Sequence, residues 1–197
     1  MDIAILGATG KFGLRFTAKL LAIPEYQLTV IDDNAGDIFA DSHRVIAKSI
    51  NASNFNQLKD ALKEPDVVCC AASGTDLPAI AENLVKLKVK RLILFSSVGI
   101  YNELPDGECG EYNLDNEPQQ IPSRQSADII EESDVDYTIL RLGFLRDEDE
   151  EYVISKKGEP LDGCVTTIES AEEIAVKIIK NPELYSRENI AITKKMC

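Results

Sequence analysis

The chain has 197 residues, enough for one large α/β domain with its own core, and its 44% apolar and 28% charged residues are ordinary for a globular protein. Its 34 acidic residues outnumber 21 basic ones and give a net charge of −13, which disfavours binding to nucleic acid. No apolar run is long enough to span a bilayer, and no signal peptide is expected. The five cysteines include an adjacent pair, and His43 is the only histidine. We therefore expect a cytoplasmic protein with reduced thiols and without a metal site.

Short apolar runs, which indicate strands, alternate along the chain with segments whose apolar residues recur at helical spacing. Turn-forming residues separate these segments. Ser53 is the predicted N-cap of the second helix, and a capping box at 170–173 is predicted to open the last helix. Predicted strands cover residues 3–6, 27–31, 45–50, 66–72, 91–95, 137–142 and 189–193. Predicted helices cover residues 11–22, 55–63, 77–87, 124–133 and 170–180, and residues 98–118 are predicted to form a long loop.

This order of elements predicts a doubly wound parallel sheet with helices on both faces. No linker or repeat interrupts the chain, so residues 1–197 are predicted to form a single domain. In such a sheet, ligands bind outside the carboxyl ends of the strands. The segments that follow the predicted strands there are 7–13, 32–34, 51–53, 71–75, 96–101 and 142–146.

A glycine-rich turn, GATGKFG at residues 7–13, lies between the first strand and the first helix. In a Rossmann-type fold, Gly7 would permit the tight turn, Gly10 would let the backbone approach a pyrophosphate, and Gly13 would let the helix pack on the strand. The N-terminus of the helix would then face the anion. A P-loop is excluded, because Ile5 and Phe12 occupy positions where that motif requires Gly and Ser or Thr.

Two carboxylates, Asp32 and Asp33, follow the second predicted strand. A carboxylate there accepts hydrogen bonds from an adenosine ribose and repels the 2′-phosphate of NADP, so NAD is the preferred cofactor. The alternative is a plain Asp-Asp-Asn turn, and Lys11 and Arg44 are bases that would favour NADP instead. From these segments we take as candidate cofactor-binding residues Gly7, Thr9, Gly10, Lys11, Phe12, Gly13, Asp32, Asp33, Asn51, Ala52, Ala71, Ala72, Ser73 and Ser96.

Three motifs together resemble the extended and atypical short-chain dehydrogenase/reductases: GATGKFG, FSSVGIY at 95–101 and SDVDYTILRLGFL at 133–145. The chain is in particular similar to the NmrA-like NAD(P)-binding proteins, which include small flavin and biliverdin reductases. The resemblance covers essentially the whole chain. It implies that Ser97 holds a substrate carbonyl. It also implies that Gly143 and Phe144 run beside the nicotinamide, although Leu142 replaces the usual proline of that segment.

The chain departs from this family at the catalytic helix. Members of the family use a Tyr-x-x-x-Lys pair, whereas Gln120 and Arg124 stand at the two positions here. Arg124 either binds the cofactor or an anionic substrate, or it pairs with Asp128 one turn away. The literal sequence Tyr-x-x-x-Lys at 152–156 follows the sixth predicted strand and reads as extended, which would separate its two side chains by about 13 Å.

Three functions remain compatible with these residues. The first is an NAD(P)H-dependent reductase of a small molecule such as a flavin or a quinone, with Ser97 and Arg124 as candidate catalytic residues. The second is an NmrA-like redox sensor that binds the cofactor without turnover and acts on a regulatory partner. The third, an NAD-dependent epimerase or dehydratase, is disfavoured by the missing pair. Tyr101 either faces the pocket or packs, and the acidic run at 146–151 is read as a solvated loop.

Overall fold

The protein is described from a computed structural model, which covers residues 1–40, 43–107, 109–147, 151–161 and 163–194. Its strands are β1 (Asp2–Leu6), β2 (Gln27–Asp32), β3 (Val45–Ser49), β4 (Val67–Cys70), β5 (Leu92–Ser97), β6 (Tyr137–Leu142), β7 (Phe144–Arg146), β8 (Tyr152–Lys156), β9 (Val165–Thr167) and β10 (Glu188–Lys194). Its helices are α1 (Lys11–Leu21), α2 (Ala35–Ile38), α3 (Phe55–Ala61), α4 (Leu77–Lys86), α5 (Ile121–Glu131) and α6 (Ile168–Lys180), with 3-10 turns at Gly110–Tyr112 and Pro118–Gln120.

Eight of these strands form one sheet in the order β3-β2-β1-β4-β5-β6-β10-β8. All neighbours are parallel except β8, which runs antiparallel to β10 at one edge. The predicted doubly wound parallel sheet is therefore confirmed, and its first and last strands belong to the same sheet. Strands β2 and β3 lie on one side of β1, and β4, β5 and β6 lie on its other side. The switch point where such sheets bind ligands is therefore between β1 and β4.

Apolar helix faces cover both sides of the sheet. One side packs against α1 and α6 and contains an aromatic cluster in which Phe12 and Phe16 both contact Phe95. The other side packs against α3, α4 and α5. Strand β4 is buried on both faces, and burial raises the pKa of the Cys70 thiol to about 11. This layering explains why the sequence of β4 is continuously apolar.

The N-caps of two helices differ from prediction. Helix α3 is capped by Asn54 instead of Ser53, because the Asn54 side chain accepts hydrogen bonds from two backbone N–H groups. Ser53 instead donates its hydroxyl to Asn51. Helix α6 begins at Ile168, where Thr167 accepts a hydrogen bond from the N–H of Ser170, so the capping-box prediction at 170–173 was wrong.

The short elements were not predicted at all. Strands β7 and β9 have three residues each and pair with one another in a separate two-stranded sheet. The predicted loop at 98–118 contains a 3-10 turn and leads into another, and α5 begins three residues earlier than expected. Segments this short carry too little periodicity to be recognised from sequence. Among the described helices, none combines the length and the apolar character that crossing a bilayer requires.

Candidate cofactor and substrate site

The carboxyl ends of β1, β2, β3 and β4 surround a cleft of about 270 Å³. It brings together most of the candidate cofactor-binding residues from four separate segments. Those that line it are Gly7, Thr9, Gly10, Asp32, Asp33, Asn51, Ala52, Ala71, Ala72 and Ser73. Sequence reasoning missed the further lining residues Ile31, Ile50, Asp76 and Ile80. Ile31 and Ile50 end the apolar runs of their strands, and this was the signal that could have identified them.

The glycine turn has little room for side chains at two of its three glycines. Gly7 has a φ of +72°, and a Cβ there would overlap the backbone of Ala71 and Ala72. A Cβ on Gly13 would overlap the carbonyl oxygen of Gly7. At Gly10, by contrast, the nearest atom to a Cβ would be 3.5 Å away. The fold therefore requires Gly7 and Gly13, whereas the open space at Gly10 fits close approach of a pyrophosphate.

Helix α1 begins at this turn without a side-chain cap, because its N-cap residue is Gly10. The first N–H groups of a helix have no partner within it and carry the positive end of the helix dipole. Lys11 is the first helical residue and is exposed, but it does not line the cleft. The Phe12 side chain lies in the core. Residues 11–13 thus place backbone N–H groups, and no charged side chain of the cleft, at the start of α1, and a helix N-terminus of this kind suits a phosphate.

Asp32 ties the glycine turn to the end of β2. One carboxylate oxygen accepts hydrogen bonds from the backbone N–H of Thr9 at 3.1 Å and from its hydroxyl at 2.8 Å. The other accepts a hydrogen bond from the N–H of Asp33 at 2.9 Å. Asp32 thus has a structural role that the sequence did not reveal, while Asp33 is exposed and lines the cleft beside it.

The charge at the cleft is negative. Asp32, Asp33 and Asp76 line it, and no lysine or arginine is among its described lining residues. Arg44, which the sequence left as a possible phosphate ligand, lies at the opposite end of the sheet. Its guanidinium donates to the carbonyl groups of Leu21 and Ile23 at the end of α1. This placement removes one of the two bases that would have favoured NADP.

The ends of β5 and β6 continue the same edge of the sheet. Ser97 lies opposite Leu142 in register and is half-buried. The Ser96 hydroxyl is buried and has no hydrogen-bond partner in the described part of the chain. At Gly143 the backbone passes so close to Cys164 that a Cβ would overlap its carbonyl group. These residues place hydroxyl and backbone groups beyond the switch point, next to the end of β4.

Phe144 and Tyr112 form an exposed aromatic corner at this edge. Their ring centroids are 4.5 Å apart and their planes are inclined by 77°. The two residues come from segments that are distant in sequence, so only Phe144 was a candidate from the motif. Nothing in the sequence around Tyr112 indicated this contact.

Arg124 makes the local pair that was one of its two predicted alternatives. Its Nε atom lies 2.9 Å from both carboxylate oxygens of Asp128, and Nη1 donates to the carbonyl of Ile100 at 3.2 Å. The guanidinium carbon also lies over the ring of Tyr101, 4.5 Å from its centroid. With these partners Arg124 holds α5 against the segment after β5.

Tyr101 packs within a polar cluster rather than facing the cofactor cleft. Its hydroxyl donates to Glu131 at 3.2 Å and accepts from the Asn189 side chain at 2.9 Å. Burial and the nearby charge of Glu131 raise the pKa of the Tyr101 hydroxyl well above its ordinary value. A phenol with a raised pKa is a poor proton donor near neutral pH, so the packing alternative fits this side chain.

Beneath Tyr101, Arg141 is fully buried in the middle of the sheet. It forms an ion pair with Glu103, whose own side chain is 8% exposed, and it donates through Nε to Asn189 at 2.8 Å. Glu103 also accepts a hydrogen bond from the backbone N–H of Tyr101. The pair joins the segment after β5 to β6 and β10. Since Glu103 and Arg141 are far apart in sequence, no local pattern predicted it.

The literal Tyr-x-x-x-Lys sequence forms strand β8, as its pattern predicted. Lys156 pairs with Glu188 at 2.9 Å, and the Tyr152 hydroxyl accepts from Lys177 at 3.1 Å. In the acidic run, Asp147 pairs with Arg15 at 2.7 Å, and residues 148–150 lie outside the described residues. The described residues contain no group of three or more acidic, histidine or cysteine side chains arranged to hold a metal ion.

A parallel sheet with a glycine turn at its switch point defines a dinucleotide-binding α/β protein. The family model for NAD(P)H-binding proteins matches residues 7–182. The chain belongs to this NAD(P)H-binding family.

Solved structures agree with this assignment. A short-chain dehydrogenase/reductase of wide type from Veillonella parvula DSM 2008, in complex with NADP, is 26% identical with a TM-score of 0.85, over 98% of this chain and 94% of that one. A Rossmann-fold NAD(P)-binding family protein from Shigella flexneri is 29% identical with a TM-score of 0.81, over 98% and 93%. ChuY, an anaerobillin reductase from Escherichia coli O157:H7, is 16% identical with a TM-score of 0.79, over 98% and 97%, and shares the fold. No curated protein matches the sequence significantly.

Proposed function

We propose that the protein is an NAD(P)H-dependent reductase that acts on a small flat acceptor such as a flavin or a quinone. The observation that carries this proposal is the continuous edge from the glycine turn to the ends of β5 and β6. The open space at Gly10 supports a position for the pyrophosphate, and the hydroxyl of Ser97 at the end of β5 supports a position for the reacting half of the cofactor along the same edge. When bound, the nicotinamide cofactor supplies a hydride. The acceptor then takes its proton from water.

Helix α5 supports an acceptor that needs no proton from the protein. By resemblance, it corresponds to the helix that carries the proton-donating tyrosine in related reductases. By resemblance, Gln120 and Arg124 stand at the positions of the tyrosine and the lysine. The Gln120 amide donates to the carbonyl of Tyr112, and Arg124 is held by Asp128 and Tyr101. Neither side chain is a proton donor near neutral pH, whereas a flavin or a quinone needs none from the protein. The same arrangement is least compatible with an epimerase or a dehydratase.

These contacts also favour a second candidate function, a cofactor-binding sensor without turnover. Incubation with NADH and a panel of riboflavin, menadione and other quinones separates the two. Loss of absorbance at 340 nm supports the reductase. Binding of NADH in calorimetry without oxidation by any acceptor supports the sensor, and failure to bind NADH or NADPH contradicts both.

We further propose that NADH is preferred over NADPH. The preference is supported by the carboxylates of Asp32, Asp33 and Asp76 in a cleft whose described lining has no basic side chain. A 2′-phosphate would add about −1.5 to −2 charges close to these groups. Asp33 is the better residue to change, because replacing Asp32 would also release the glycine turn from Thr9.

The variant Asp33→Ala is expected to reduce the preference for NADH over NADPH about tenfold, which corresponds to about 1.4 kcal/mol. Asp37, an exposed acid in α2 that does not line the cleft, provides the matched control, and Asp37→Ala is expected to leave the preference unchanged. Calorimetric dissociation constants for both cofactors measure the effect. An equal preference in wild type and Asp33→Ala would contradict the role of Asp33.

The Tyr-x-x-x-Lys sequence of β8 is expected to be irrelevant to the reaction. Tyr152→Phe and Lys156→Met should keep the NADH dissociation constant and the rate of NADH oxidation within about twofold of wild type. The reason is that a strand separates their side chains by about 13 Å, and each already pairs outside the cleft. A tenfold loss of rate in both variants, with unchanged melting temperatures, would assign the acid–base pair to β8.

A further inference from the structure

The aromatic corner of Tyr112 and Phe144 is the one exposed aromatic surface among the described residues. The two side chains are 37% and 39% exposed, and neither belongs to the hydrophobic clusters of the core. The exposed part of each ring gains no free energy from burial when the chain folds, and a ligand that covers it would supply that gain. The exposed rings therefore favour binding of a ligand that covers them.

The backbone that carries both rings is anchored before any ligand arrives. The Tyr112 carbonyl accepts a hydrogen bond from the Gln120 amide, and it packs against Gly99, where a side chain would not fit. The N–H of Phe144 donates to the Cys164 carbonyl at 2.6 Å. Since β7 pairs with β9, the corner is built on two anchored segments. An anchored backbone reduces the conformational entropy that is lost when the rings bind a flat ligand.

The corner lies at the edge of the sheet where the acceptor of the proposed reaction would bind. Gly99 follows β5 by two residues, and Phe144 follows β6 by two. The end of β6 is two strand spacings from the end of β4, about 10 Å along the edge of the sheet. The half of a dinucleotide that extends from the glycine turn across the switch point would reach this region.

One polar atom beside the corner has no partner. The Gln120 Nε2 group donates to the Tyr112 carbonyl, which orients the amide, and the Oε1 atom is then buried without a hydrogen-bond donor in the described part of the chain. A buried acceptor of this kind favours a ligand that brings an N–H or an O–H group. The ring N–H of an oxidised flavin meets this requirement.

We propose, on the basis of the reductase function above, that Tyr112 and Phe144 stack on the acceptor ring and make the enzyme specific for planar acceptors. Aromatic rings attract flat π-systems in offset and edge-to-face arrangements, which matches the inclined pair. Riboflavin carries the flavin ring without a phosphate group, so its binding measures the ring contacts alone.

Quenching of riboflavin fluorescence by the full-length protein, in the presence of NAD⁺, tests the proposal without requiring turnover. Phe144→Ala and Tyr112→Ala are expected to weaken riboflavin binding at least tenfold, and Tyr112→Phe, which keeps the ring, to stay within twofold. Phe144→Leu keeps an apolar side chain without a ring and should also lose tenfold, while its melting temperature stays close to wild type. Ile46 is 50% exposed on β3 at the far side of the sheet, so Ile46→Ala is the matched control and should bind like wild type.

Several outcomes would overturn the stacking role. These are a wild-type protein that does not quench riboflavin, a Tyr112→Phe variant as weak as Tyr112→Ala, or an equal loss in Ile46→Ala. The proposed function fails separately. If riboflavin binding depends on the corner but no acceptor oxidises NADH, the reductase function is wrong and the binding surface stands. If quinones oxidise NADH and Phe144→Ala does not change their KM, the function stands and the stacking role is wrong.

Discussion

Gly7→Ala and Gly13→Ala are expected to lower the free energy of unfolding and to abolish measurable NADH binding. A Cβ overlaps backbone atoms at both positions, and overpacking of this kind costs about 1–3 kcal/mol. Gly7 also has a φ of +72°, where a side chain adds about 1–2 kcal/mol. Urea unfolding and calorimetry measure the two effects. Wild-type stability in Gly13→Ala would contradict the close contact between α1 and the turn.

Gly10→Ala is the matched variant that separates binding from folding. Gly10 has a φ of −66°, and a Cβ there meets only ordinary contacts in the protein alone. We expect its free energy of unfolding to stay within about 1 kcal/mol of wild type, because alanine is only a weaker N-cap than glycine. Its NADH affinity should nevertheless fall more than tenfold, since the methyl group would occupy the approach of the pyrophosphate. Unchanged affinity would show that the cofactor does not approach this turn.

Arg141→Met is expected to destabilise the protein by about 3–5 kcal/mol, since it leaves the Glu103 carboxylate buried without its partner. Glu103→Gln should have an effect of the same order, because it leaves the buried guanidinium uncompensated. The double variant should be clearly more stable than the sum of the two single changes predicts, since no unpaired charge remains. Urea unfolding with a double-mutant cycle measures this coupling.

The exposed pair of Lys177 and Glu173 provides a control for the buried one. Its nitrogen and oxygen are 3.7 Å apart, with side chains 54% and 44% exposed. Lys177→Ala should therefore change the free energy of unfolding by less than about 1 kcal/mol. If the Arg141 and Glu103 variants are additive, or no more destabilising than Lys177→Ala, the buried ion pair does not hold the segment after β5 in place.

Much of the fold could be predicted from sequence because its signals are local. The sequence of β4 is continuously apolar because helices cover both faces of the strand. The glycine turn comes directly after the last residue of β1 in the sequence. The helix caps were less predictable. Asn54 and Thr167 compete with neighbouring polar residues for the same N–H groups, and only the backbone path decides which side chain reaches them.

The sequence likewise predicted some residues of the candidate site and not the roles of others. The lining at Asn51 and at 71–73 follows from a general rule, that parallel strands end at one edge. The roles of Asp32 and Arg44 did not follow from any rule. Asp32 accepts hydrogen bonds from Thr9, and Arg44 faces the other end of the sheet, because their directions depend on segments that lie about 20 residues away.

By itself, the sequence determined the parallel α/β architecture, the glycine turn and the row of segments at the carboxyl ends of the strands. These features depend on hydrophobic period and on the conformational freedom of glycine, which are properties of neighbouring residues. The tertiary structure alone decided that Arg141 pairs with Glu103 and that Tyr112 meets Phe144. Such contacts join residues more than 30 positions apart, and they form only when the folded sheet brings distant segments together.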